Sequence, residues 1–219
     1  YLLNVYGSDF IYAGATKELY YWNGDIWERD VEGYIHRLIE KNIYLELTKY
    51  VVTLNDCKAK DNIIKKVLLL HNEKFRQNTL KSFVRMCKME RLVNVAMNYN
   101  DAQKHYVHFN NGCVNLKTGE FRKRTKKDYV SVKLNYDYKA PTDKGVVKQM
   151  KILEPIIKRL QQCKKQYDLM MMWKAYCLTG ETKEQKFMMA IGYSAGNGKS
   201  TLLKIHSITF PIYTAKFSN

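Results

Sequence analysis

Apolar residues recur at helical spacing in three places along the first hundred positions. Ile35, Leu38, Ile39 and Ile43 form one stripe. Ile63, Ile64, Val67 and Leu68 form a second, and Leu80, Val84, Cys87, Arg91 and Val95 a third with one polar break at Arg91. Intervals of three and four residues put such side chains on one face of a helix, so the pattern predicts three helices packed on one another. Ahead of them, Glu18–Asp30 places two aromatic-rich runs on either side of Asn23-Gly24, which predicts a β-hairpin.

The period shortens from Tyr106 onward. Val107-His108-Phe109, Cys113-Val114-Asn115-Leu116 and Glu120-Phe121-Arg122 read as short strands, with turns at Asn111-Gly112 and Thr118-Gly119. Tyr129–Leu134 alternates as a further strand. After Pro141 two helices are expected, Lys144–Cys163 and Tyr167–Leu178, and then a short apolar strand, Lys186–Ile191, running into a glycine loop. No internal repeat is visible. A boundary near Gly180–Glu184 divides the chain into residues 1–182 and residues 183–219. The first is an α+β domain, helix-rich with short strands. The second is the opening strand, loop and helix of an α/β P-loop unit.

That loop carries the clearest chemistry. Gly196-Asn197-Gly198-Lys199-Ser200-Thr201 stands between an apolar run and Leu202-Leu203-Lys204-Ile205, the strand–loop–helix setting of a Walker A motif. Glycines let backbone N–H groups close around phosphate oxygens, and the helix N-terminus adds partial positive charge. The reading expects ATP and Mg²⁺. Ala195 to Thr201 would line the nucleotide, Lys199 would reach the β- and γ-phosphates, and the Ser200 hydroxyl would hold the metal. One feature departs from Gly-x4-Gly-Lys-[Ser/Thr]: Tyr193 stands at the first glycine position, and Gly192 is one residue further out. Either the loop is one residue longer or Tyr193 takes the strand-end place. Only 18 residues follow Thr201. A P-loop motor also needs further strands, an acidic residue for Mg²⁺ and water, and an arginine finger, so the chain is expected to be a fragment of a longer protein, in keeping with its start without Met.

Charge adds a partner. Lys and Arg number 37 against 21 Asp and Glu, a net of +16, a field that attracts polyanions. Residues 117–165 hold 15 Lys or Arg against 5 Asp or Glu, a net of +10. Lys123, Arg124, Lys126 and Lys127, in its densest part, are candidates for phosphate contact with DNA; the plain alternative is a solvated, self-repelling surface. No run of about 18 apolar residues exists, so no membrane span is expected, and no secretory signal opens the chain. The five cysteines are scattered and never form a Cys-x-x-Cys pair, which argues against a disulfide framework or zinc ribbon. His105, His108 and Cys113 converge poorly for a metal, since i and i+3 lie on opposite faces of a strand. Trp22 and Trp27 read as hairpin packing before base stacking. Met170-Met171-Met172-Trp173 reads as helix core or a subunit contact.

Three stretches together resemble a known family. Tyr176 to Phe187 running into the glycine loop is similar to the junction before the motor of superfamily 3 helicases. Phe109 to Phe121, with Asp128-Tyr129 and Tyr136-Asp137-Tyr138, resembles the domain preceding that motor, and Trp22 to Trp27 with Asp30 resembles that domain's opening. The family is the primase-helicase of large DNA viruses, poxvirus-like and African-swine-fever-like, and of some phages and plasmids. The resemblance implies a collar domain between a primase and a hexameric AAA+-like ring motor, with DNA and other viral replication proteins as partners, in viral factories of the host cytoplasm and not secreted or membrane-bound. Only Gly196, Gly198, Lys199 and Ser200 carry over residue by residue. The alternative is a non-catalytic DNA-binding or oligomerising collar module.

Overall fold

The computed structural model describes residues 2–31, 33–55, 58–93, 103–160, 163–192 and 196–215. Val95 of the third stripe, and Tyr193 and Ala195 of the loop, lie outside the described residues. The chain is α+β, with helices joined by short strands, and it divides into two compact units, Tyr1–Met97 and Asn98–Asn219.

In the first unit, helix α1 (Leu2–Tyr6) leads into strands β1 (Phe10–Ala13), β2 (Glu18–Trp22) and β3 (Trp27–Arg29). The predicted hairpin is β2–β3, with Trp22 opposite Trp27. Its turn spans four residues because the Asn23 side chain caps it, accepting from the N–H groups of Asp25 and Ile26, both at 2.9 Å. A continuous helix follows: α2 (Tyr34–Arg37), a π-helical segment (Leu38–Ile43) and α3 (Tyr44–Thr53). The wider π turn keeps Ile35, Leu38, Ile39 and Ile43 pointing inward together, and all four are buried. Helix α4 (Lys58–Leu69) buries Val67 but leaves Leu68 exposed.

Helix α5 (Glu73–Glu90) is capped by Asn72, which accepts from the Phe75 N–H at 3.1 Å, worth about 1 kcal/mol. It ends where the polar break falls. Arg91 is its C-cap, and Leu92–Val93 turns extended as strand β4, parallel to β1. The third helix is therefore shorter than its stripe predicts. A sheet in the order β3-β2-β1-β4 results. Phe10, Ile35, Ile39, Phe83 and Cys87 close the core between sheet and helices, with Phe10 edge-on to Phe83 at 5.1 Å.

In the second unit, β5 (Tyr106–Phe109), β6 (Gly112–Asn115) and β7 (Phe121–Arg122) form an antiparallel meander. The first turn is Asn110-Asn111, one residue earlier than predicted, with Phe109 opposite Gly112. Tyr129–Leu134 is not a strand. Tyr129 sits in the left-handed region at φ +49°, which breaks the extended chain where the run begins. The alternation reports burial only at its ends: Val130 and Leu134 are enclosed, Val132 between them is exposed, and the Leu134 N–H reaches the His108 carbonyl at 2.8 Å. Helices α6 (Lys144–Leu160) and α7 (Lys164–Cys177) match the two expected elements. Lys186–Ile191 forms no strand. Among the described residues no neighbouring strand offers it a ladder, and Phe187, Met189 and Ile191 stand exposed. Helix α8 (Lys199–Thr209) closes the described fold.

Candidate functional site: the glycine loop and the basic meander

Gly198 is the N-cap of α8 at φ +77°, and Gly196 stands at φ +80°. Both are left-handed, a conformation that a side chain disfavours. The loop turns back on Gly192. A Cβ there would collide with the Asn197 amide and come within 2.6 Å of Lys199 Nζ. Lys199 Nζ donates to Asn197 Oδ1 at 2.5 Å, so the ammonium is held over Gly192. Ser200 and Thr201 are exposed on that turn. Gly198 packs against α6: a Cβ would overlap the Leu160 side chain. Gly192 and Gly196 thus leave a turn in which the Lys199 ammonium lies against the loop and Ser200 stands exposed on the helix that follows.

The basic stretch divides by role. Lys123 and Lys127 are exposed, and Lys126 is half-buried in a short 3-10 turn, Lys126–Asp128. Arg124 is half-buried, and its guanidinium donates to the carbonyls of Phe109, Gly112 (2.7 Å) and Asn110 (3.0 Å), tying the β5–β6 hairpin. Arg122 forks onto Asp128 at 2.9 and 2.7 Å. The Thr125 N–H (2.7 Å), the Thr125 hydroxyl (3.2 Å) and the Gln103 amide (3.1 Å) also donate to Asp128. Burial pushes the Asp128 carboxyl up, but the Arg122 fork, the Thr125 N–H and the Gln103 amide outweigh it and hold it down at about 2. The same fork raises the Arg122 guanidinium. This network was readable in Thr125-x-x-Asp128, a capping-box spacing.

Among the described residues no three His, Cys, Asp or Glu side chains gather as for a metal. His108 and Cys113 face each other across β5–β6, and His105 Nε2 lies 3.1 Å from Glu181 Oε1. Trp27 is buried, with Trp22 edge-on to it at 5.5 Å. Of the Met170–Trp173 run, Met170 is buried while Met171 and Met172 are exposed. No helix among the described residues is long and apolar enough to cross a membrane.

Residues 1–164 match the family model described as D5 N terminal like. Over 153 residues the chain is 26% identical to "Putative helicase L207/L206" of Acanthamoeba polyphaga mimivirus, an alignment covering 68% of this chain and 15% of that relative. The matched family segment takes in both α+β units up to the start of α7 and stops short of the glycine loop. On that match the chain belongs to the D5 N-terminal-like family of viral primase-helicase proteins.

Proposed function

We propose that this chain is the collar and the opening of the motor of an ATP-dependent replicative DNA helicase, residues 1–182 forming the collar and 183–219 the start of an α/β P-loop domain. The observation that carries the reading is the glycine loop. Two left-handed glycines, a third whose missing Cβ leaves room for Lys199, and an uncapped helix N-terminus together make an anion cradle. Lys199 would meet the β- and γ-phosphates with its ammonium, and the Ser200 hydroxyl would hold Mg²⁺. When bound, the metal would supply charge neutralisation for phosphoryl transfer. The chain's own residues would bind and orient; the reading assigns the water-positioning acid and the arginine finger to other parts of the motor.

A ring of subunits fits the reading. Val147, Met150, Leu153 and Ile156 leave one face of α6 exposed and apolar, the kind of surface that a neighbouring copy covers in a homo-hexamer. DNA and the other viral replication proteins are the expected partners, in a cytoplasmic viral factory. A second reading, a non-catalytic DNA-binding or oligomerising collar, is favoured by one observation: the family match ends at residue 164, before the loop.

The test is equilibrium binding of a fluorescent ATP analogue to the full-length protein, with and without Mg²⁺. Lys199→Ala is expected to weaken binding at least about tenfold and to abolish unwinding, since it removes the cation that meets the transferred phosphoryl group. Equal affinity and near-normal unwinding in that variant would leave the non-catalytic collar as the better account.

A further inference from the structure

Four aromatic rings of the second unit form a continuous row. Tyr136 meets Phe109 edge-on at 5.7 Å, Phe109 meets Tyr138 at 5.3 Å, and Tyr138 stacks on Phe121 at 5.5 Å with planes 13° apart. None of the four is buried; Phe121 is 41% exposed and Tyr136 36%. We propose that this row is a stacking platform for the bases of single-stranded DNA, with the phosphates tracked by Lys123, Lys127 and Lys139. The inference rests on the DNA-binding reading above and adds a contact to the base itself.

Three features support it. The row is rigid. Asn111 exchanges hydrogen bonds with the Tyr138 backbone at 3.0 and 2.9 Å, the Asn110 N–H reaches the Tyr136 carbonyl at 2.9 Å, and the Tyr136 hydroxyl donates to the Thr209 carbonyl. Rings already fixed lose little freedom when a base lands on them. Phe121 is also positioned by its neighbours, with its ring stacked on Tyr138 and still 41% exposed. Its ring lies over Gly112, where a Cβ would come within 2.6 Å of Phe121 Cζ, so glycine lets the ring settle flat across the strand edge. The segment that supplies three of the four rings is cationic: residues 121–139 carry 7 Lys or Arg against 2 Asp or Glu. Arg122 and Arg124 are engaged in the fold, and Asp128 is neutralised by Arg122, while Lys123, Lys127 and Lys139 are exposed. A protein partner would favour a patch depleted of charge. Exposed rings beside lysines fit a polyanion that carries its own π-faces, which a single strand presents and a stacked duplex does not. Packing on Gly112 and Tyr138 places the Phe121 ring and leaves it 41% exposed to a stacking partner.

The experiment is fluorescence anisotropy of the 219-residue chain with two labelled probes of about 20 nucleotides, a thymidine homopolymer and an abasic strand of equal length, across a salt series. Phe121→Ala and Phe121→Leu should each weaken thymidine binding roughly 5- to 100-fold, leave the abasic strand unaffected, and leave the salt slope unchanged. Phe121→Trp should restore binding. The paired Lys123→Glu and Lys127→Glu variant should weaken both probes and flatten the slope by about 0.7 per lost contact. Phe121→Ala falling equally on both probes, or not at all, would overturn the stacking platform. If the lysine pair still acts in that case, DNA binding survives without base contact. If neither variant acts, the DNA reading of this surface fails as well.

Discussion

Asp128→Asn isolates the network that organises the basic meander. The carboxylate is buried and accepts from both arms of Arg122, from the Thr125 N–H and hydroxyl and from Gln103. Its folded value is lowered from 3.8 to about 2. A depressed carboxyl contributes stability that is present above its unfolded value and lost as pH falls through the folded one. At about 1.4 kcal/mol per unit, the difference corresponds to roughly 2 kcal/mol at pH 7. About half of it remains near pH 3, and little remains below pH 2. Asparagine keeps the shape but leaves Arg122 facing a neutral amide, so the loss at pH 7 should be at least this large. The assay is a urea titration read from NMR cross-peaks of the β5–β6 ladder, wild type against Asp128→Asn, at pH 7 and pH 2.5. The expected result is a gap of roughly 2 kcal/mol at pH 7 that narrows by more than half at the acid pH. Equal unfolding free energies at pH 7, or a gap independent of pH, would refute the assignment of the Arg122–Asp128 pair as the organiser.

Other outcomes follow from the same contacts. Arg124→Ala should destabilise the second unit by about 2 kcal/mol, measured without DNA, because three carbonyls lose a charged donor; a neutral effect would mean that its guanidinium serves the surface instead. Gly192→Ala should weaken nucleotide binding roughly tenfold, about 1.4 kcal/mol, with little change in melting temperature, since its Cβ displaces the Lys199 ammonium rather than the core. The full-length protein should hydrolyse ATP while residues 1–219 alone do not, and robust turnover by the shorter chain would contradict the division of labour proposed for the loop. A charge-reversal scan of DNA binding should use Lys123 and Lys127, because reversing Arg124 would perturb the hairpin as well as the charge.

Much of the first unit was legible because its order is local. The stripe Ile35, Leu38, Ile39, Ile43 fixes a buried helix face whatever packs on it, and all four residues are buried. The hairpin around Asn23 follows from one side chain satisfying its own turn. Strand β4 was not legible. Leu92 and Val93 have no alternating pattern of their own, and they become a strand only because β1, about eighty residues earlier, offers an open edge. The fate of Arg124 was hidden for a related reason: in a run of lysines and arginines, only the three-dimensional position of three backbone carbonyls tells which cation is spent on the fold.

The same distinction explains the two runs that read as strands and are not. In Tyr129–Leu134, Val130 and Leu134 are buried while Val132, the apolar position between them, is exposed, and the Leu134 N–H reaches the His108 carbonyl. An alternating run therefore need not be a strand, and alternation alone overstates strand content. Lys186–Ile191 is the converse case. It is apolar on successive positions, as a strand covered on both faces would be, yet Phe187, Met189 and Ile191 are exposed. A central strand is a property of its neighbours: its hydrogen bonds and both its covers come from other segments. The glycine loop does not depend on them to the same degree. Its shape is set by backbone freedom at Gly196 and Gly198 and by the contact of Lys199 with Asn197 over Gly192, all within eight residues. A glycine turn of this kind can therefore form next to a segment that makes no strand. In the proposed motor, further strands on either side of Lys186–Ile191 would bury that run, fix Gly192 at a strand end, and so align Lys199 with groups that the rest of the domain supplies.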